Sequence, residues 1–306
     1  MRLSHFVLLF LTACSRTERS AGRANDSTSQ AQRAPAIVDS STPAPDSPRV
    51  VFVIDSLVNG NYLLDPIALM NGKQLTAPPI GEMPDSAADT FRHAFYGKSQ
   101  RYRVLVGGVE IGRAIVGAAE DPGCVGLAAE ARIQLTRPVP RGRPLFATNA
   151  TATLLAASAS NPLTAADREI GYQFIGRLLA DSGVPAGSRG NPWMVAGARV
   201  ELPGSGPLIA ASLRLDSHEN GGDRVISVFF VLDSARVGFR PSLVSYHNGL
   251  EAEVASEEFL DALDIDGSGS LALISRTTFY ESYTYTVYRR MGSTWQRWYV
   301  GGGGGC

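Results

Sequence analysis

Residues 198–208 read Ala-Arg-Val-Glu-Leu-Pro-Gly-Ser-Gly-Pro-Leu, and residues 261–271 read Asp-Ala-Leu-Asp-Ile-Asp-Gly-Ser-Gly-Ser-Leu. Both contain a Gly-Ser-Gly turn with a leucine two residues later, at a constant offset of 63 residues, and Ser212 recurs as Ser275 at the same offset. Several identities at one offset are typical of a repeated supersecondary unit. The alternative is chance, because Gly-Ser-Gly turns are common.

Each Gly-Ser-Gly turn is followed by a strand, a loop and a longer strand. The longer strand is Val225–Leu232 in the first copy and Tyr283–Tyr288 in the second. This order predicts two similar antiparallel β-meanders, at residues 198–240 and 261–300. Two meanders cannot close a propeller, so we expect them to pack on the N-terminal part of the chain and not to form a ring of blades.

The second copy contains Asp264-Ile265-Asp266-Gly267-Ser268-Gly269-Ser270. This segment resembles the D-x-D-x-[DNS]-G calcium loop, and in a β-rich chain it resembles the loops of FG-GAP and VCBS propeller repeats. The resemblance is strong over residues 261–300 and faint over the first copy. It implies propeller-blade-like units in the C-terminal half, and acidic side chains at alternate positions of a tight loop converge on one ion. The implied calcium ligands are Asp264, Asp266, Ser268 and Ser270.

The calcium pattern is incomplete. Ala272 and Ser275 stand where a further carboxylate is expected, and in the first copy Pro203 replaces the second acid. Because calcium takes six to eight oxygen ligands, two carboxylates predict an affinity at or below about millimolar. The sequence therefore calls for no cofactor beyond a weakly bound calcium ion. The alternative to calcium binding is that the two aspartates cap backbone N–H groups of the turn.

The folded part begins at Val50. Val50–Ile54 is an unbroken β-branched and aromatic run, which is typical of a buried strand. Asn71-Gly72 and Gly107-Gly108 predict hairpin turns. Residues 136–144 hold three prolines and are predicted to form a loop, because proline removes a donor from a strand ladder.

One helix is predicted, over residues 164–181. Thr164 followed by Asp167 has the form of a capping box, and Gly183 supplies the C-terminal stop. With 44% hydrophobic residues, the chain can bury a core. The fold class predicted is mainly β, with antiparallel meanders and one principal α-helix. The expected organisation is a signal (1–14), a tether (15–49), an N-terminal β-rich half (50–160), the helix (161–183) and a C-terminal half with the two meanders (184–306).

The first residues of the chain predict export. Arg2 precedes the apolar run Phe6–Leu11, which is too short to span a bilayer and is typical of the core of a signal peptide. The run ends in Leu11-Thr12-Ala13-Cys14, which resembles a bacterial lipobox. The resemblance implies that Cys14 becomes the mature N-terminus and carries lipid. An ordinary signal peptide is the alternative.

The segment 15–49 predicts a tether. Its only large apolar residues are Ile37 and Val38, so it cannot offset the entropy of ordering and is expected to be disordered. In Gram-negative lipoprotein sorting, a residue other than Asp after the lipidated cysteine implies the outer membrane, and Ser15 stands there. We therefore expect a lipid-anchored protein of the cell envelope, at the outer membrane, facing the periplasm or the cell surface.

Two cysteines remain after lipidation of Cys14. Cys124 and Cys306 would lie in a compartment that permits disulfides, so we expect them to pair. Residues 301–305 are all glycine, and we expect them to form a flexible tail that lets Cys306 reach Cys124. Free thiols or an intermolecular bridge are the alternatives.

The sequence favours a function without catalysis. Lys plus Arg total 28 and Asp plus Glu total 29, so the chain lacks the basic excess that nucleic-acid-binding proteins show. His93, His218 and His247 form no H-E-x-x-H motif, and no G-x-S-x-G nucleophile elbow is present. Catalytic residues that come together from distant positions are the alternative.

These observations favour a binding or scaffolding module of the envelope, anchored through its N-terminal lipid, with a glycan or protein as ligand. The alternative is a hydrolase of envelope polymers. Aromatic residues of the last strands could offer the binding face, or they fill the core and pair across strands. They are Phe279, Tyr280, Tyr283, Tyr285, Tyr288, Trp295, Trp298 and Tyr299.

Overall fold

The first strand, β1 (Arg49–Ser56), is apolar on both faces. Val50, Phe52 and Ile54 belong to one buried cluster, whereas Val51 and Val53 belong to another. Successive side chains of a strand point to opposite faces, so β1 separates two hydrophobic cores. The buried strand predicted from this run is confirmed.

The computed structural model describes residues 48–56, 61–79, 85–120, 130–150, 159–186, 192–219 and 222–305. All of them belong to one compact unit of the chain. In the described part the fold is mainly β, with antiparallel sheets and two helices. No helix of that part is both long and apolar enough to cross a membrane.

The N-terminal elements form a small closed barrel. They are β2 (Tyr62–Asn71), β3 (Gln74–Thr76), α1 (Asp85–Phe95), β4 (Arg101–Val106), β5 (Val109–Glu120), β6 (Glu130–Leu135) and β7 (Leu145–Thr148). Their order is β1-β7-β4-β5-β6-β2, and β2 pairs with β1 as well as with β6, so the sheet returns to its start. Phe91 and Phe95 of α1 pack into the interior cluster, and α1 therefore covers one end of the barrel.

Two four-stranded antiparallel meanders follow. The first runs β9 (Trp193–Leu202), β10 (Gly206–Glu219), β11 (Gly222–Ser234) and β12 (Phe239–Leu250), with β8 (Ser160–Pro162) added beside β9. The second runs β13 (Ser256–Leu263), β14 (Ala272–Thr278), β15 (Ser282–Met291) and β16 (Thr294–Gly305). The expectation of two antiparallel meanders is confirmed.

The turns that open the two meanders share their backbone conformation. Gly204 and Gly206 have φ of 73° and 74°, and the equivalent Gly267 and Gly269 have φ of 72° and 82°. Only glycine adopts this left-handed conformation without a steric penalty, so the same four positions require glycine for the same reason.

The sheets are stacked in layers. Met70 and Phe146 on the outside of the barrel pack against Ile274 and Val287 of the second meander. The opposite face of the second meander packs against the first meander. Helix α2 (Ala165–Asp181) covers the far face of the first meander. The second meander therefore lies directly on the barrel, and the first lies on the second.

Helix α2 has the boundaries that the sequence indicates. Thr164 and Asp167 form the reciprocal capping box, and Gly183 follows the helix with φ of 74°. Ile175 and Leu179 are the most deeply buried of its side chains. The shorter helix α1 is a second helix beyond the one that the sequence predicts.

The expectation of a flexible glycine tail is wrong. Gly301–Gly305 form the end of β16, where Gly304 and Gly305 pair with Tyr283 and Ser282. A Cβ at Gly302 would clash with the carbonyl oxygens of Pro66 and Ile67 on β2. The glycines allow the backbone of β16 to lie directly against the barrel.

Candidate functional site

An open groove of about 950 Å³ lies between α1 and the β2–β3 hairpin. Ala87, Thr90 and Ala94 line it from α1. They are three and four residues apart and so form one stripe of the helix. Their small side chains leave space where larger ones would close the gap, and this spacing is the only sequence signal that could have indicated the groove.

The rest of the groove is largely apolar. Leu69 and Met70 line it from β2, and Phe91 and Phe95 form its base. Arg49 is the one ionisable residue that lines it among the described residues. An apolar cleft of this size with a few polar groups has the usual character of a ligand site. It would suit an apolar body with one anionic group beside Arg49.

The two aspartates of the calcium-like loop act as caps. Asp264 Oδ2 accepts a hydrogen bond from the backbone N–H of Gly269 at 2.9 Å, and Asp266 Oδ1 accepts one from Ser268 at 3.1 Å. Arg289 donates to the other oxygen of Asp266. A cation would have to displace Arg289, so these donors do not fit a strong calcium site.

The remaining loop residues supply no further carboxylate. Ser268 Oγ accepts a weak hydrogen bond from the N–H of Ser270 at 3.4 Å. No group of three or more His, Cys, Asp or Glu side chains in the described ranges is placed to hold a metal ion. Burial raises the pKa of Asp266, but its hydrogen bonds with Ser268 and the charge of Arg289 outweigh burial and hold the pKa below its ordinary value.

Four of the eight aromatic side chains of the last strands are buried. Tyr285 and Tyr299 face the barrel, and Tyr288 and Trp295 lie between the meanders. Phe279 and Tyr280, at the tip of the β14–β15 hairpin, are 44% and 78% exposed. Tyr283 and Trp298 are partly buried. The aromatic face considered from the sequence is thus reduced to the hairpin tip.

Buried carboxylates form hydrogen bonds between the barrel and the second meander, and the sequence analysis does not identify them. Asp65 Oδ2 of the barrel accepts hydrogen bonds from the hydroxyls of Tyr283 and Tyr285 at 2.6 and 2.5 Å. Burial raises the pKa of Tyr285 well above its ordinary value, and the nearby Asp65 adds to this. Because the partners are more than 200 residues apart, no local sequence pattern signals them.

Asp261 of β13 makes a second such link. It accepts hydrogen bonds from the backbone N–H groups of Gly107 at 2.7 Å and Ala262 at 2.8 Å. Burial raises the pKa of Asp261, and these hydrogen bonds oppose the rise. Asp261 and Glu258 also line a polar cleft of about 360 Å³, together with Arg143 and Arg168. Glu258 pairs with Arg276 at 3.4 Å.

A serine–histidine pair is present on β12. Ser245 Oγ and His247 Nε2 are 3.1 Å apart. They are two residues apart on a strand and therefore share a face. No carboxylate of the described residues bonds to His247, so the pair lacks the third group that orients a catalytic histidine.

The three cysteines predicted as functional, Cys14, Cys124 and Cys306, lie outside the described residues. No family model, curated protein or solved structure matches this chain.

Proposed function

We propose that this chain is a lipid-anchored protein of the bacterial cell envelope whose folded part is a non-catalytic binding module. The observation that carries the binding role is the apolar groove between α1 and the β2–β3 hairpin. The groove has the size and lining of a ligand site, and among the described residues that line it Arg49 is the one ionisable side chain. The ligand class that fits it is an apolar segment with a single anionic group.

The groove can be tested with a fluorescent apolar anion, 1-anilinonaphthalene-8-sulfonate. In Ala94→Trp the new ring fills the groove, and we expect probe affinity to fall at least tenfold. Ala180→Trp is the matched control, because Ala180 is an exposed alanine of the other helix. Circular dichroism and the melting temperature verify the fold. Equal affinity in both variants would assign the probe to another surface and remove the support for the groove.

The anchor rests on Cys14, which the lipobox resemblance marks as the lipidated residue. In Cys14→Ser we expect an unprocessed precursor that no longer partitions with the membrane fraction. Mass spectrometry of the native protein should find an acylated N-terminal cysteine. An unmodified N-terminus at another residue would contradict the proposed lipid anchor but would not affect the proposed binding role of the groove.

A hydrolase of envelope polymers is the second candidate. The polar cleft that contains Glu258 and Asp261 favours it, because paired carboxylates serve as acid and base in glycoside hydrolysis. Both oxygens of Asp261 accept backbone hydrogen bonds, which favours a structural role for this residue. We expect no release of fragments from purified cell-wall polymer. Release that Glu258→Gln abolishes and Glu253→Gln retains would establish the hydrolase.

A further inference from the structure

Strand β12 is a long edge strand of the five-stranded sheet. It has 12 residues and pairs with β11 on one side, and no strand in the described part of the chain pairs with its other side. None of its residues is buried, whereas Val228–Val231 of β11 are fully buried. Its outer N–H and C=O groups are therefore available to another strand.

The middle of β12 lacks the features that usually protect an edge. Natural edge strands are kept short or carry prolines, bulges or charged side chains. Arg240, Pro241 and the bulge beside it lie at the start of β12. At the other end, the N–H of Val254 bonds back to the carbonyl of Leu250. The stretch between these ends, residues 242–248, contains no proline, lysine, arginine or carboxylate.

The other edge strands of the described residues differ from β12 in length or in composition. Edge strands β3 and β8 have 3 residues each. Edge strand β13 has 8 residues and contains three carboxylates, and edge strand β16 has 12 residues but contains Arg297 and a glycine end that lies against β2. Val244 on this strand is 39% exposed, so a partner strand could reach its side chain.

The open stretch is self-complementary in the antiparallel orientation. When two copies of β12 are placed antiparallel about Ser245, Val244 of each copy lies opposite Tyr246 of the other, and Leu243 lies opposite His247. Pairs of an aromatic with a β-branched residue stabilise antiparallel strands. No two charged side chains of the stretch meet, so nothing opposes the approach of an identical strand.

We propose that β12 pairs with β12 of a second copy of this chain, centred on Ser245, so that two five-stranded sheets join into one of ten strands. The contact is isologous, so it closes after two copies and does not propagate into fibres. This pairing would occupy the open hydrogen-bonding groups of β12. The proposal depends neither on the groove nor on the lipid anchor.

Cross-linking in membranes tests the position of the two-fold axis. Ser245→Cys is introduced into the full chain in which Cys124 and Cys306 are serine. Opposed residues of an antiparallel pair have Cβ atoms about 5 Å apart, which suits a disulfide after small adjustment. We expect a disulfide-linked dimer on oxidation. The control is Val237→Cys, in the β11–β12 turn and 89% exposed, for which we expect at least tenfold less dimer.

The mass of the full chain in detergent tests the association itself. We expect a dimer for the unmodified chain and a monomer for Val244→Lys, because the two added lysines would be diagonal neighbours on one face of the new strand pair and would repel each other. Val300→Lys, at a similarly exposed valine of β16, should stay dimeric. Unchanged melting temperatures would show that both variants fold. A monomeric parent chain, equal cross-linking at 237 and 245, or cross-links to a different protein would each overturn the proposal.

Discussion

Single side chains hold the layers of this molecule together. Ser212 Oγ of the first meander accepts a hydrogen bond from the N–H of Phe259 in the second, at 2.8 Å. Its counterpart Ser275 donates to the buried Glu257 at 2.6 Å. Glu257 also accepts from Tyr288 at 2.6 Å. The two serines that recur in the sequence therefore both supply polar contacts where the meanders meet, and each satisfies a buried partner that would otherwise be costly.

We expect replacement of Gly303 to destabilise the fold strongly. Its φ is 88°, and a Cβ there would clash with the carbonyl oxygen of Tyr283. We expect Gly303→Ala to lower the free energy of unfolding by about 3 kcal/mol or more, from the left-handed backbone together with overpacking. The measurement is denaturant unfolding.

Gly292 is the matched control for that substitution. Its φ is 64°, but a Cβ there meets nothing within 4 Å. Gly292→Ala should cost only about 1–2 kcal/mol, the penalty of the left-handed conformation itself. Equal costs at the two positions would mean that the backbone of β16 does not lie tightly against its neighbours.

Asp266 gives a prediction about pH. Its pKa in the folded chain lies below the ordinary value, so its ionised form contributes stability above about pH 4, the unfolded pKa, and this contribution is lost as the pH falls through the folded value. Asp266→Asn should cost about 1–3 kcal/mol at pH 7, because it removes a charged partner of Arg289. The difference from the parent chain should shrink below pH 4.

Asp89→Asn serves as control, because Asp89 forms only an exposed ion pair with Arg92. Exposed pairs contribute about 0–1 kcal/mol, so this variant should follow the parent chain at all pH values. A cost for Asp266→Asn that persists unchanged at pH 3 would rule out the ionised carboxylate as its source.

At the scale of elements, the turn between β13 and β14 determines what the calcium-like sequence does. Both turns that open the meanders have the same glycine conformations, but only the second contains the aspartates. These carboxylates satisfy N–H groups of their own turn, as short polar side chains commonly do. The same turn geometry is therefore compatible with calcium binding and with the capping of backbone N–H groups that is observed.

A calcium titration separates these uses. We expect no rise in melting temperature at micromolar calcium and at most a small rise at several millimolar, since each aspartate already has backbone or arginine partners. Asp264→Asn should not alter that response. A calcium-dependent rise at low micromolar concentration, absent from Asp264→Asn, would establish a true metal site.

On the scale of the whole molecule, the second meander is central because both its faces are covered. One face packs on the barrel and the other on the first meander. The end of β16 adds a further tie, since Tyr299 donates a hydrogen bond from its hydroxyl to the carbonyl of Ile67 at 2.8 Å. We therefore expect the described layers to unfold together.

The proposed Cys124–Cys306 disulfide belongs to this scale. It would close a loop of 182 residues, for which chain entropy gives about 5 kcal/mol as an upper figure. Because Gly305 is paired with Ser282, Cys306 follows a fixed backbone and not a flexible tail. We expect non-reducing peptide mapping to find the two cysteines joined, and reduction to lower stability to the level of Cys124→Ser. Alkylation of both thiols in the native protein would exclude the bridge.

Features that depend on residues close together in the chain could be predicted from the sequence. Strand β1 follows from its apolar run, helix α2 from its capping box and glycine stop, and the meander turns from their glycines. Each of these is fixed by steric or hydrogen-bonding preferences within a few residues. For the same reason, the local signal could not show which aspartates would be caps and which would be links between layers.

The closure of the barrel, the stacking order of the sheets and the candidate groove could not be predicted in this way, because they arise from long-range contacts. Closure requires β2 to pair with β1 and β6, and the groove requires α1 to lie beside the β2–β3 hairpin. Residues 301–305, expected to be flexible, are ordered because they pair with β15, and at Gly302 and Gly303 the neighbouring backbone leaves no room for a side chain. These outcomes depend on contacts between residues far apart in the chain, and a local pattern of residues contains no information about which distant surface will meet it.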